Sequence, residues 1–192
     1  NSINNYGRGV ITMSQLKVNS IVPAGGLPSG SNGGIIQCVQ TVLTDTKSYT
    51  ANSDTFTDMP GFNCTITPSS NSNKVLIVVG IGAIHQNAGT IIGKVLRGST
   101  DIGIGDAASN RMRTGFRMYG SSIYNGNHCG SYQFNFLDSP ATTSATTYKL
   151  QTAGESNTSY PVYLNRALND ADNSFVYNSR AISTMTLYEV SA

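Results

Sequence analysis

The sequence predicts an all-β protein: an antiparallel β-sandwich or jelly roll preceded by an extended N-terminal arm. Three observations lead there. Only 11% of the 192 residues are charged, and the rest of the polarity is Thr, Ser, Asn and Gly. Thr favours strands, while Asn, Ser and Gly favour turns. Leu is sparse and Glu is confined to Glu155 and Glu189, so long amphipathic helices lack material. Finally, Lys74 to Ile84 reads Lys-Val-Leu-Ile-Val-Val-Gly-Ile-Gly-Ala-Ile, the longest apolar run. A strand buried on both faces gives a continuous run of this kind. Val and Ile lose rotamer freedom in a helix, and Gly80 and Gly82 would loosen one. A membrane span needs about 20 apolar residues, and Lys74 and His85 bound this run well short of that.

Taken in order, residues 1–34 stand apart from the rest. Gln15 to Pro23 alternates, with Leu16, Val18 and Ile21 on one side, and Ala24 to Gly34 is mostly Gly and Ser. This reads as an arm or linker that needs a scaffold, or copies of itself, to bury its apolar face. The globular part, 35–192, opens with a strand at Ile35–Val42. Met59-Pro60-Gly61-Phe62 has the form of a type II turn. Phe62, Cys64 and Ile66 alternate on the next strand, and a polar turn from Pro68 to Asn73 leads into the central strand. Further strands are expected at Ile91–Arg97, Ile102–Ile104, Arg111–Tyr119 with the arginines outward, Ser131–Leu137, Thr147–Thr152, Val162–Asn165 and Ser183–Val190. Short strands with turns at regular spacing suggest a sandwich.

The net charge of +2 does not point to a nucleic-acid partner, although five of the twelve basic residues fall between Lys94 and Arg117. Cys38, Cys64 and Cys129 are odd in number and widely spaced, as expected for free thiols buried as small hydrophobes in a protein assembled in a reducing cell. No signal-peptide pattern opens the chain, and Met13 begins a segment that reads as a translational start. Neither membrane insertion nor a metal or other cofactor is expected. His85 and His128 are the only histidines: His85 reads as a polar cap on the central strand and His128 as a solvated loop residue. His128 and Cys129 are adjacent, so on extended chain they face opposite ways and make a poor catalytic dyad. Asp170-Ala171-Asp172-Asn173-Ser174 lacks the Gly and the bidentate Glu of a calcium loop and reads as an Asx-type turn. No catalytic residues are expected.

Tyr119 to His128 has the composition of a recognition surface: Tyr, Ser, Gly and Asn with one histidine. Tyr gives contact area at low entropy cost, and Ser and Asn adapt their hydrogen bonds. Such residues also suit sugars. Tyr119, Tyr124, Asn125, Asn127 and His128 are therefore candidate binding residues, joined by Tyr160 from the Gly154–Tyr160 loop. A third loop, Asn169 to Asn178, carries Phe175 and Tyr177. An ordinary long hairpin loop accounts for the same composition.

Several segments, in order, resemble the C-terminal head of tailed-phage fibre and appendage proteins, particularly those of cyanophages. They are Ile66 to Ile77, Ile102 to Ala108, Leu137 to Pro140 running to Thr147-Tyr148-Lys149, Tyr163 to Arg166 and Asp170 to Ser174. Leu16 to Ile21 resembles the openings of such proteins, so the likeness runs from Leu16 to the end. It implies a virion structural protein assembled in the cytoplasm of a bacterial host: a homotrimer with a head like those of tumour necrosis factor and complement. The arm, with Leu16, Val18 and Ile21, would hold the trimer and dock on capsid or tail proteins. The distal loops would meet a host-surface glycan or protein. A purely architectural decoration or tail-assembly role, and a carbohydrate-binding module, are the alternatives.

Overall fold

Eleven strands in two antiparallel sheets make up this fold, seen in a computed structural model that describes residues 34–53, 55–86, 89–119, 126–154 and 160–192. The strands are β1 (Ile35–Leu43), β2 (Lys47–Ala51), β3 (Thr57–Ile66), β4 (Lys74–Gln86), β5 (Thr90–Arg97) and β6 (Thr100–Ile102). They continue as β7 (Phe116–Tyr119), β8 (Gly130–Asp138), β9 (Thr146–Gly154), β10 (Tyr160–Leu164) and β11 (Ser183–Val190). One sheet runs β1-β11-β4-β10-β2 with β8 also on β4; the other runs β3-β9-β5-β6 with β7 also on β5. Val75, Ile77, Val79, Met185 and Leu187 of the first sheet pack on Phe62, Ile66, Tyr148, Leu150 and Val95 of the second. The all-β sandwich is thus as the composition indicates. Among the described residues no helix is long and apolar enough to cross a membrane. Leu16, Val18, Ile21, Tyr124 and Asn125 lie outside the described residues, as do the side chains of Tyr119 and Tyr160.

β4 is the long central strand, but it is not buried on both faces along its length. Val75, Ile77, Val79 and Ile81 are buried, while Leu76, Val78, Gly80 and Gly82 between them are half-exposed. Only from Ala83 onward are both faces covered. Two strands share one edge of β4: β11 pairs with Lys74 to Gly80, and β10 with Ile84 to Gln86.

The break between them is closed by Asn165, which is fully buried at φ 63°. Its Nδ2 donates to the carbonyls of Leu43 (2.8 Å) and Asp45 (2.9 Å), and its Oδ1 accepts from Ser183 Oγ at 2.6 Å. Its N–H donates to Ala83 O, and its carbonyl accepts from Ala181 N–H. Asn tolerates the left-handed region better than other residues with a Cβ. One side chain thereby ties the ends of β1, β10 and β11 together.

The two sheets are clamped near both ends by polar bonds. Asp138, on the first sheet, accepts from Arg97 Nη1 at 2.9 Å and from Tyr148 Oη at 2.8 Å, both on the second. Tyr49 and Thr152 share a 2.8 Å hydroxyl bond across the sandwich. Burial pushes the Tyr49 phenol up, and burial with the Asp138 carboxylate does the same to Tyr148. Glu189 is buried with three donors around it: Ser69 N–H (2.6 Å), Ser69 Oγ (2.7 Å) and Asn73 Nδ2 (2.6 Å). Burial works to raise its carboxyl, but these hydrogen bonds outweigh it and hold the group below the usual range.

Several local expectations are corrected. Met59-Pro60-Gly61-Phe62 does not reverse the chain; it is an irregularity inside β3, where the register on β9 shifts between Asp58 and Asn63. β3 is an edge strand, where a residue without an N–H is tolerated, and Gly61 takes φ 71°. β2 replaces an expected connection. The Arg111–Tyr119 segment is extended strand only from Phe116, with Arg111, Arg113 and Arg117 exposed. Of the three cysteines only Cys64 is buried; Cys38 and Cys129 are exposed. His85 is not a strand-end cap at the surface but a fully buried residue within β4.

Candidate functional site

The sandwich has two chemically different ends. At one lie Gly34, the Ser69–Asn73 turn, Asp138 and the C-terminal Ala192: Ile35 pairs with Val190, Val190 with Lys74, and Val75 with Asp138. At the other lie the end of β4, the start of β8 and the starts of β5 and β10. β4 has 13 residues, and at about 3.3 Å per residue it separates the two ends by roughly 40 Å.

Of the expected binding residues, Tyr119 ends β7 opposite Thr90, Tyr160 begins β10 opposite Ala51, and Asn127 and His128 precede β8. All four backbone positions therefore fall at the end remote from Gly34. Residues 126–128 are pinned one after another. Gly126 O accepts from Asn169 N–H at 3.0 Å, and Asn127 Oδ1 accepts from Asn169 Nδ2 at 2.7 Å. His128 O accepts from His85 Nδ1 at 2.6 Å. A carbonyl can only accept, so the Nδ1 of His85 carries a proton. Gly126 takes φ 79°, and a Cβ there would meet Leu168 at 2.8–3.0 Å. His85 is thus the buried post on which the loop stands, and His128 contributes its carbonyl while its side chain is exposed.

What the loop is pinned to is the segment from Asn165 to Ile182. Arg180 holds Asp170 with Nη2 at 2.8 Å and Nε at 3.2 Å, and Arg166 approaches the same carboxylate at 4.0 Å. Asn173 Oδ1 accepts from the Phe175 N–H (3.1 Å), an Asx turn as the sequence suggests, and from Asn178 Nδ2 (2.7 Å). A single 3₁₀ turn, Val176–Asn178, follows. Phe175 and Tyr177 stack with ring centroids 5.3 Å apart and planes 19° apart.

A depression of about 310 Å³ forms between the two segments, lined by Asn127, Asn169, Asp170, Asn173, Tyr177 and Asn178. It adjoins a second of about 410 Å³ that shares Asp170, Asn173 and Asn178 and adds Asp172 and Arg180. Their walls are side-chain amides, one aromatic ring and an Asp–Arg pair. Asn178 Oδ1 is buried and has no hydrogen-bond partner among the described residues. This set can exchange hydrogen bonds with hydroxyl groups and offer an aromatic face. Cys129, beside His128 but outside the lining of both depressions, is exposed by surface area, yet the protein packed around its sulfur pushes the thiol up, which disfavours the reactive thiolate. Among the described residues no three His, Cys, Asp or Glu side chains gather as a metal would require. Asn127 joins this site directly; Asn169, Asn173, Tyr177 and Asn178 were not among the expected binding residues. Their signal in the sequence is an amide-rich loop carrying aromatics, which pattern reading shares between turns and binding surfaces.

Comparison with protein-family models and with curated proteins gives no match. Among solved structures, the chain is similar to that of infectious bursal virus derived T=1 particles, at 10% identity and a TM-score of 0.38, covering 82% of this chain and 37% of that one. It is also similar to that of the infectious bursal disease virus VP2 subviral particle, at 12% identity and a TM-score of 0.36, covering 82% and 38%. A third is that of the infectious bursal disease virus Gx strain, at 12% identity and a TM-score of 0.37, covering 82% and 39%. This chain spans less than two-fifths of the length of each.

Proposed function

We propose that this protein is a virion structural protein: a homotrimeric fibre or knob whose residues 1–34 dock on the particle and whose head, 35–192, holds a host-surface glycan. The observation that carries this reading is the polarity of the head. The chain enters the described structure at Gly34, at one end of β4, and the amide-lined depression with Tyr177 lies towards the other. A particle-bound protein needs this separation, because the surface that docks cannot also be the surface that reaches the cell. Asn side chains both donate to and accept from sugar hydroxyls, and Tyr177 supplies a ring face for the apolar side of a sugar. Three such sites on one rigid head gain effective concentration, so weak individual contacts still retain a particle. Tyr119, Tyr124, Asn125, His128 and Tyr160 also take part in binding in this proposal, and Leu16, Val18 and Ile21 act in the arm.

The test is binding of the full chain to a glycan array and to host cells, with Tyr177→Ala and Asn178→Ala beside Tyr119→Ala and Tyr124→Ala. Loss of at least about tenfold in affinity, roughly one good polar or ring contact, is expected for Tyr177→Ala with the fold intact. Incorporation into particles without binding to any glycan or cell would favour the architectural reading.

A further inference from the structure

From Leu76 to Gly82 the apolar run that organises the sequence leaves one of its two faces without cover among the described residues. Residues directly opposite in an antiparallel sheet share a face. The outward residues of β4 therefore form rows with their partners: Leu76 with Tyr188, Cys38 and Leu137; Val78 with Thr186, Gln40 and Asn135; Gly80 with Thr184, Val42 and Gln133. None of these residues is charged. Lys74 stands only at the margin, opposite Val190. Ile36, Val42, Leu137 and Ile182 around the face are 54%, 46%, 46% and 55% exposed. The outer face of the other sheet is built differently, with the ion pairs Lys94–Asp101 and Lys149–Asp58.

The uncharged face is also shaped. Gly80 and Gly82 remove two side chains from its middle, leaving a groove of about 460 Å³ bounded by Ser131, Gln133, Ile182 and Thr184. A Cβ on Gly82 would lie 2.0 Å from the Ile182 carbonyl, so close approach of backbone maintains the groove.

We infer that this face of the first sheet is where a second copy of the chain packs, which places the contact required by the trimeric reading above and rests on that reading. Depletion of charge at the centre is the compositional mark of an interface core. In a threefold ring each copy presents this face to a different patch of its neighbour, and an uncharged face carries no like-charge penalty against the patch it meets. The scale fits too. Four strands by the Leu76–Gly82 span cover about 20 Å by 20 Å, roughly 400 Å² of plane before side-chain relief. A standard partner surface is about 800 Å² of accessible area.

The experiment is sedimentation equilibrium of the full chain against a Gln133→Glu/Asn135→Asp variant. Both side chains are exposed on β8 and the changes are nearly isosteric, so the circular-dichroism spectrum and melting temperature report whether the fold is kept. Asn63→Asp/Thr65→Glu, on the outer face of the other sheet, is the control. The expected result is an oligomer whose dissociation constant rises on the order of 100-fold in the β8 variant and not in the control. A wild-type oligomer unaffected by the β8 charges overturns the inference and leaves the trimeric reading standing, with the copies joined elsewhere. A wild-type monomer removes the trimeric reading and this inference with it.

Discussion

Replacing Asn165 by Ala tests how the first sheet is held together. The side chain is fully buried and makes three hydrogen bonds, at 2.8, 2.9 and 2.6 Å. Truncation leaves the Leu43 carbonyl and the Ser183 hydroxyl short of a buried partner, at about 1–3 kcal/mol each. The Asp45 carbonyl lies nearer the surface, so water replaces that bond at little cost. Ala at φ 63° adds about 1 kcal/mol, because it lacks the local hydrogen bonds that let Asn occupy the left-handed region. The sum is about 3–7 kcal/mol, against a typical total stability of about 5–15 kcal/mol. Equilibrium urea denaturation of the full chain measures it through the midpoint at constant slope. Asn165→Gly loses the same three side-chain hydrogen bonds but not the backbone cost of a Cβ in the left-handed region, so it should be less damaging than Asn165→Ala by up to that ~1 kcal/mol. An Asn165→Ala protein within about 1 kcal/mol of wild type would refute the reasoning, since it would mean that the junction of β1, β10 and β11 does not depend on this side chain.

Glu189 makes stability pH-dependent in acid. Its folded carboxyl lies below the ordinary value of 4.5, so its contribution is present above that value and is lost as pH falls through the depressed folded one. A Glu189→Gln protein should therefore lose less stability than wild type when denaturation midpoints are compared between neutral pH and pH 3. Tyr49 and Tyr148 act in the opposite direction: both phenols are raised above 10.0, so their contribution is present below that value and is lost as alkali drives ionisation. Ultraviolet titration should show part of the tyrosinate signal appearing only with unfolding, and free ionisation of every tyrosine in a folded protein would contradict this. Asp138→Asn leaves Arg97, which is partly exposed and keeps the Ser139 carbonyl, facing a neutral amide, and should cost about 1–3 kcal/mol, measured by the fall in urea midpoint.

The fold class was legible because it depends on properties that sum along the chain. Low charge, abundant Thr and short alternating segments all favour strands, and Ser183–Val190 has the same bounds in sequence and structure. β2 is hard to read because Lys47-Ser48-Tyr49-Thr50-Ala51 is polar and short, with only Tyr49 and the small Ala51 putting apolar atoms inward. Met59 to Phe62 misled because Pro-Gly has the same local geometry in a reversal as in an irregular edge strand; the pairing with β9 decides between them, and that is not local. His85 was misplaced for a similar reason. A histidine next to an apolar run looks like its end, and its interior place comes from pairing with Tyr163 and from the carbonyl of His128, 43 residues away, neither of which is local. The β4 run itself suggested two buried faces because apolar residues record what is eventually covered, whatever covers it. The candidate site was half legible: Asn127 stood out by composition, while its companions from Asn169 to Asn178 reach it through a fold contact that no spacing reveals.

The proposed role of the head turns on the opposition of its two ends. A density map of the particle that carries this chain measures it directly. The expected map has Gly34 directed at the particle and Asn127, Tyr177 and Asn178 roughly 40 Å further out, facing solvent. A map with the Asn169–Asn178 loop buried against the particle and Gly34 facing outward would contradict the account.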